Sequence, residues 1–235
     1  MLHRTLLALV LGLLMSVPQV QAQQSDTTSS EPENDPYGTG AGMSILLTNS
    51  GFGLGGYTQW AFTPSTSLFV ELDIVSGKDR REQKFFDYWG NSVVPDKANY
   101  FLMVPLRVGV HRRLFRDVIQ ENFRPFVQAT VGPSVGWQWP YFNDSNGNGV
   151  WDQNSERKYG SLESLFKGES RYGFGGSLGV GVHWGRSQRV SQGVRISYSF
   201  NYFLQEVQLM EEDVRNARRH FFGTPAISLV FGRLW

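Results

Sequence analysis

Asp144, Asn146 and Asn148 alternate in the stretch Asp144-Ser145-Asn146-Gly147-Asn148-Gly149-Val150-Trp151-Asp152, which lets three side-chain oxygens turn toward one point. Gly149 supplies a sharp turn and Asp152 a further carboxylate, a donor set suited to a hard cation such as Ca2+. Counted from Asp144, a loop of this kind carries its bidentate carboxylate at the twelfth position. Ser155 stands there and Glu156 follows one residue late, so the competing expectation is a plain Asn- and Gly-rich turn. A second set is Glu71, Asp73, Arg107, Arg124 and Arg195, joined by Gln59, Gln128 and Asn201, all set into otherwise apolar runs. Charges in such settings must pair, and Glu71 and Asp73 are expected to meet Arg107 or Arg195. Acid–base and nucleophilic chemistry find less support. His111, His183 and His220 belong to no recognisable Ser/His/acid grouping, so no catalytic residue and no enzymatic activity are expected. Gly51, Gly53 and Gly56 match a nucleotide-binding spacing in form only, because a strand follows where a phosphate site needs a helix.

What positions these residues is a set of runs with period two. In Arg171 to Trp184 one face reads Tyr172, Phe174, Gly176, Leu178, Val180, Val182, Trp184, and the other Arg171, Gly173, Gly175, Ser177, Gly179, Gly181, His183. Tyr100 to His111, Val127 to Trp139 and Val194 to Leu204 alternate in the same way. Weaker runs at Met43 to Thr48, Leu54 to Phe62, Leu68 to Val75 and Phe221 to Trp235 bring the number to eight. Alternation of apolar with polar or small residues is the pattern of strands with lipid on one side and a polar lumen on the other. An even number closes into an antiparallel barrel in which every backbone group is paired. The expected fold is therefore all-β: a closed antiparallel eight-stranded transmembrane up-and-down β-barrel, or a ten-stranded one if a long connection hides a hairpin. A soluble barrel or sandwich would need the aromatic-rich face inside, where eight strands leave too little room.

Connections alternate in length. Those at Asn49 to Gly53, Thr63 to Thr66 and Gly185 to Ser191 are short, while Lys78 to Asn99, Pro140 to Ser170 and Glu206 to Arg219 are long and charged. With a periplasmic N-terminus all the long loops fall outside the cell, and both termini are periplasmic. Tyr100, Trp137, Trp139, Tyr172, Tyr202 and Phe221 then form an outer aromatic girdle, and Trp60, Phe62, Phe123, Trp184 and Trp235 an inner one. The cations Lys78, Arg80, Arg81, Lys84, Arg215, Arg218 and Arg219 lie in outer loops, solvated or facing lipopolysaccharide phosphates.

The ends agree with export. A short basic start, an apolar run from Leu6 to Met15 and Val20-Gln21-Ala22 read as a signal peptide over residues 1–22, cut after Ala22. Residues 23–40 are a flexible, polar, periplasmic tail, and 41–235 form the barrel. A net charge of +1 with scattered cations excludes a nucleic-acid partner, and the lack of cysteine excludes disulfides and thiolate metal sites.

The final strand carries Ile227, Leu229, Phe231 and Trp235 at alternate positions before the end. This is similar to the C-terminal signature by which outer-membrane proteins engage the barrel-assembly machinery, with Arg233 as a departure. Over residues 41–235 the chain resembles the small bacterial outer-membrane β-barrel families, OmpA/OmpX-like or PorT-like. The resemblance implies a bacterial outer-membrane, multi-pass protein in contact with outer-membrane lipid and lipopolysaccharide. It implies no single activity. The leading expectation is a non-enzymatic barrel whose long loops serve adhesion, envelope organisation or partner docking. The alternatives are a narrow channel for small or hydrophobic solutes and a lipid A-modifying enzyme. No cofactor is required beyond a possible Ca2+ in the Asp144 loop.

Overall fold

The computed structural model describes residues 39–234, apart from 64, 80, 87–89, 91, 116–118, 120–122, 153–154 and 185–189. The expected signal peptide, the expected tail as far as residue 38, and Trp235 lie outside the described residues. Eight strands form one closed ring: β1 (Gly40–Thr48), β2 (Gly51–Thr63), β3 (Thr66–Gly77), β6 (Asn99–Arg113), β7 (Phe123–Pro140), β8 (Glu169–Trp184), β9 (Val190–Gln208) and β10 (Arg218–Leu234). Every neighbour is antiparallel, and the ring shuts where β1 pairs β10, with Met43 opposite Phe231 and Leu47 opposite Ile227. The remaining strands, β4 (Phe85–Phe86) and β5 (Ser92–Val93), make a separate two-stranded hairpin in the first long loop. A hidden hairpin therefore exists, but it does not enter the barrel.

Alternation works as the period implies. Leu54, Leu106, Val131, Phe174, Leu178, Ile196 and Phe200 are exposed on the outer face, while Glu71, Arg107, Gln128, Ser177 and Arg195 are buried inside. An apolar belt of that extent on a closed sheet has lipid as its solvent. The glycines of β8 make room within the lumen. A Cβ on Gly175 would sit 2.6 Å from Asn201 Oδ1, and one on Gly181 would sit 2.5 Å from Phe126 Cζ. At the turn between β1 and β2, Gly51 takes φ 125, and Thr48 Oγ1 accepts from the Ser50 N–H at 3.1 Å.

Candidate functional site

Four of the five charged residues singled out in the sequence meet in mid-lumen. Glu71 and Arg107 are direct register partners on β3 and β6. Arg107 Nη1 donates to Glu71 Oε1 at 3.4 Å and to Asp73 Oδ2 at 3.2 Å. From across the barrel, Arg195 Nη1 reaches Glu71 Oε2 at 2.9 Å and Gln128 Oε1 at 3.0 Å. Gln128 and Thr130 each donate to Glu71 at 3.4 Å, and Thr130 is joined to Ser177 at 2.7 Å. Glu71 is thus the hub, held by donors from β6, β7 and β9. Burial removes solvent from all of these charges, so each depends on the others for compensation. Asp73 Oδ1 is buried without a hydrogen-bond partner, beside a cavity of about 10 Å3 bounded by Asp73, Arg107, Asn201 and Thr224. That space suits one water molecule.

Arg124 belongs to a different layer. It lies four residues before Gln128 on β7, about 13 Å along the strand, and its register partner is His183. There Phe126 stacks on His183 and packs at a tilt against His111, with ring centroids 4.6 Å and 4.2 Å apart. His111 and His183 thus line the lumen toward the turn end. His220 instead lies at the loop end of β10, where Nδ1 pairs with the Phe203 carbonyl at 2.8 Å and Nε2 lies 3.9 Å from Glu206.

Sequence reasoning missed the opposite layer. Toward the loop end the lumen is filled by Phe101, Met103, Phe203, Val207, Leu209 and Phe222, all buried. Phe101 meets Phe203 edge-on at 5.3 Å and Phe222 at 5.1 Å. The signal was available: Phe101 and Met103 share the inward parity of Arg107, and Phe203 that of Arg195. The polar lumen implied by the alternation therefore describes only part of the interior. The lumen has a charged middle beneath an apolar seal.

Above the seal the long loops knit together. Asp79 accepts from the Arg81 N–H at 2.9 Å and its Nε at 3.0 Å, and also from Arg219 on β10. Burial alone would raise the Asp79 carboxyl, but the Arg81 hydrogen bonds and the charges of Arg219 and Arg81 hold it below the usual carboxylate range. Lys97 Nζ reaches Glu82 at 2.6 Å. Backbone bonds Ala98 N–H to Leu209 O and Tyr141 N–H to Ala98 O, both 2.9 Å, tie three loops into one cap. Arg218 pairs with Glu206 and Glu212, so Arg81, Arg218 and Arg219 all have carboxylate partners within the chain. Arg80 lies outside the described residues.

The five candidate calcium ligands stay within one loop. Asp144 accepts from the N–H groups of Gly147 (2.7 Å) and Gly149 (3.0 Å), Asn146 from Asn148 (2.9 Å), and Asn148 from Val150 (2.8 Å). Glu156 turns inward, 6% exposed, and accepts from Ser145 N–H at 2.9 Å and Asp152 N–H at 3.2 Å. Asp152 itself receives the Ser155 hydroxyl at 2.7 Å. Among the described residues no group of three or more His, Cys, Asp or Glu side chains is arranged around a metal position. Next to this loop, Glu211 accepts from Trp151 N–H at 3.1 Å. Burial raises the Glu211 carboxyl against that bond, as do the charges of Asp96, Asp213 and Glu156.

On the final strand Ile227, Leu229 and Phe231 are exposed on the lipid face. Of the outer girdle, Tyr172, Tyr202 and Phe221 are exposed, but Trp139 is only 7% exposed, which the alternation did not foretell.

The closed sheet, apolar belt and filled lumen together define a small membrane-spanning β-barrel. No protein-family model and no curated protein matches the chain. Among the solved structures similar to it are small outer-membrane barrels. They include Neisserial surface protein A, with a TM-score of 0.42 and 9% identity over 84% of this chain and 94% of that one. Ail, the attachment invasion locus protein of Yersinia pestis, gives 0.36 and 12% over 83% and 93%. The outer membrane enzyme PagL gives 0.34 and 11% over 83% and 97%. At these TM-scores none carries an argument, and the fold stands on its own strand pairing.

Proposed function

We propose that this chain is an integral barrel of the bacterial outer membrane that performs no enzymatic chemistry and holds a pre-formed loop cap toward the exterior, for adhesion, envelope organisation or partner docking. The observation that carries this reading is the closed lumen. Glu71, Asp73, Arg107 and Arg195 fill its middle, Phe101, Phe203 and Phe222 seal it above, and a cavity of about 10 Å3 beside Asp73 leaves room for about one water. A diffusion path needs the reverse, a continuous wet bore, so the channel reading ranks below it. The termini are periplasmic on this reading, lipid and lipopolysaccharide surround the belt, and the assembly machinery would read Ile227, Leu229, Phe231 and Trp235.

Planar-bilayer recording tests the claim. The native chain is expected to give no stable single-channel steps; steps that vanish on changing Arg107 or Glu71 would overturn the closed-lumen reading. Unchanged lipid A masses on expression are expected for a non-enzyme. Because the chain has no cysteine, Ser145→Cys on intact cells should react with a membrane-impermeant maleimide. Failure to react would reverse the assigned orientation.

A further inference from the structure

Trp137 and Trp139 continue the outward face of β7 beyond Val135, yet exposure falls from 36% at Val135 to 7% at Trp139. What covers them is the chain's own loop. Trp137 Nε1 donates to the Leu165 carbonyl at 2.9 Å, and Trp139 Nε1 to that of Ser161 at 2.8 Å. A Cβ on Gly168 would lie 2.5 Å from Trp137 Nε1, so the returning chain runs directly against the indole. Ser164, fully buried, donates to the Pro140 carbonyl at 2.6 Å. Residues 161–168 are therefore strapped to the outer flank of the barrel rather than held above its mouth.

The strap has two faces. Its centre is a 3-10 turn, Leu165–Lys167, and positions two apart in such a turn lie about 200–240° around its axis. Ser164 points to the barrel, so Leu162 and Phe166, on either side of it, point away. They are 78% and 93% exposed. An apolar pair so exposed on a strap hydrogen-bonded over two indoles is unexplained by the chain's own packing. The strap is continuous with the belt: Trp137 stands two residues beyond Val135, whose register partner is the exposed Tyr172. That is about 5 Å further along the membrane normal at the usual strand tilt. Arg157, paired with Glu163 at 2.7 Å, and Lys167, which donates to the Tyr159 hydroxyl at 2.8 Å, flank the pair as a polar rim.

We infer that the strap is a lateral membrane anchor, in which Leu162 and Phe166 enter the outer interface of the bilayer and the flanking polar side chains sit at the headgroup level. It replaces the girdle tryptophans that it covers. Interfacial insertion of apolar side chains beneath a polar rim follows from the preference of such groups for the headgroup boundary. The inference rests on the membrane-spanning reading of the barrel.

The full chain, cysteine-free by nature, can carry one NBD fluorophore at a time on Phe166→Cys, Leu178→Cys or Asn146→Cys, in vesicles of phosphatidylcholine with phosphatidylglycerol. The Leu178 probe reports the belt and the Asn146 probe the aqueous loops. The Phe166 probe is expected to show blue-shifted emission and quenching by acyl-brominated lipid comparable to Leu178, while Asn146 stays water-like and unquenched. Water-like emission at Phe166 with a quenched Leu178 probe would overturn the anchor and leave the barrel reading intact. Blue-shifted emission without lipid quenching would assign Leu162 and Phe166 to a protein contact and equally overturn it. An unquenched Leu178 probe would defeat the membrane-spanning reading itself, and the anchor with it.

Discussion

The mid-lumen network and the loop cap both bury charge, but they are held by different kinds of connection. In the lumen, Glu71 meets Arg107 because β3 and β6 are neighbours in fixed register, and alternation turns every second residue inward. In the cap, Asp79 meets Arg219 across 140 residues of sequence, where a loop with no period to aim it returns to the end of β10. The lumen pair is a consequence of the sheet and should fail only with it. The cap is a tertiary assembly on top of the sheet and should open on its own.

The largest effect expected to test that contrast is at Glu71. Glu71→Ala leaves Arg107 and Arg195 buried with a single carboxylate between them, and should cost about 3–5 kcal/mol in urea titrations of the vesicle-embedded chain. A cost near zero would mean that water, not pairing, compensates the lumen charges. Glu71→Leu with Arg195→Met should recover much of the loss, since a matched apolar replacement removes the uncompensated charge. Next comes the seal, where Phe203→Ala should cost about 3 kcal/mol through an empty volume in the lumen. If the two layers close the bore independently, bilayer recordings of that variant should still show no stable steps.

The cap should give smaller and separable effects. Asp79→Ala releases Arg81 and Arg219, both partly solvated, so a local loosening of about 1 kcal/mol is expected, read as faster hydrogen exchange at Ala98 and Leu209 with an unchanged barrel. Acid should do the same, with a sign fixed by the shift. The Asp79 carboxyl is depressed in the folded cap, so its contribution is present above the unfolded value near 3.9 and is lost as pH falls through the folded one. Glu211 is raised and acts oppositely, contributing below its unfolded value near 4.3 and losing that contribution as pH rises through the folded one. Cap protection should therefore pass through a maximum on mild acidification and decline below about pH 4. A monotonic profile would remove one of the two carboxylates from the balance. The smallest effect expected is that of calcium, which at millimolar concentration should slow proteolysis of residues 144–156 by about twofold or less, as for weak extracellular sites. Identical cleavage in chelator would leave the Asp144 loop to its own hydrogen bonds.

Much of this was legible beforehand. The alternation of Leu178, Val180 and Val182 against Gly179, Gly181 and His183 determined which way β8 faces, and the same parity determined that Glu71, Arg107 and Arg195 turn inward. Period two needs no knowledge of neighbours, because the pleat of a single strand decides it. Pairing partners needed the ring. Arg124 has the same parity as Gln128 but lies too far down β7 to join Glu71, and only register sets that height. Parity placed Phe101, Phe203 and Phe222 on the inward face, but that the three rings meet from three strands as one seal was decided by register. Trp139 shows the limit most plainly. Its position on the outward face was determined by the sequence alone, and its burial was decided by a loop that returns from 22 residues further on to accept its indole N–H at Ser161. Local chemistry fixes the direction in which a side chain leaves the backbone, whereas what it meets there depends on long-range chain return, which no local pattern encodes.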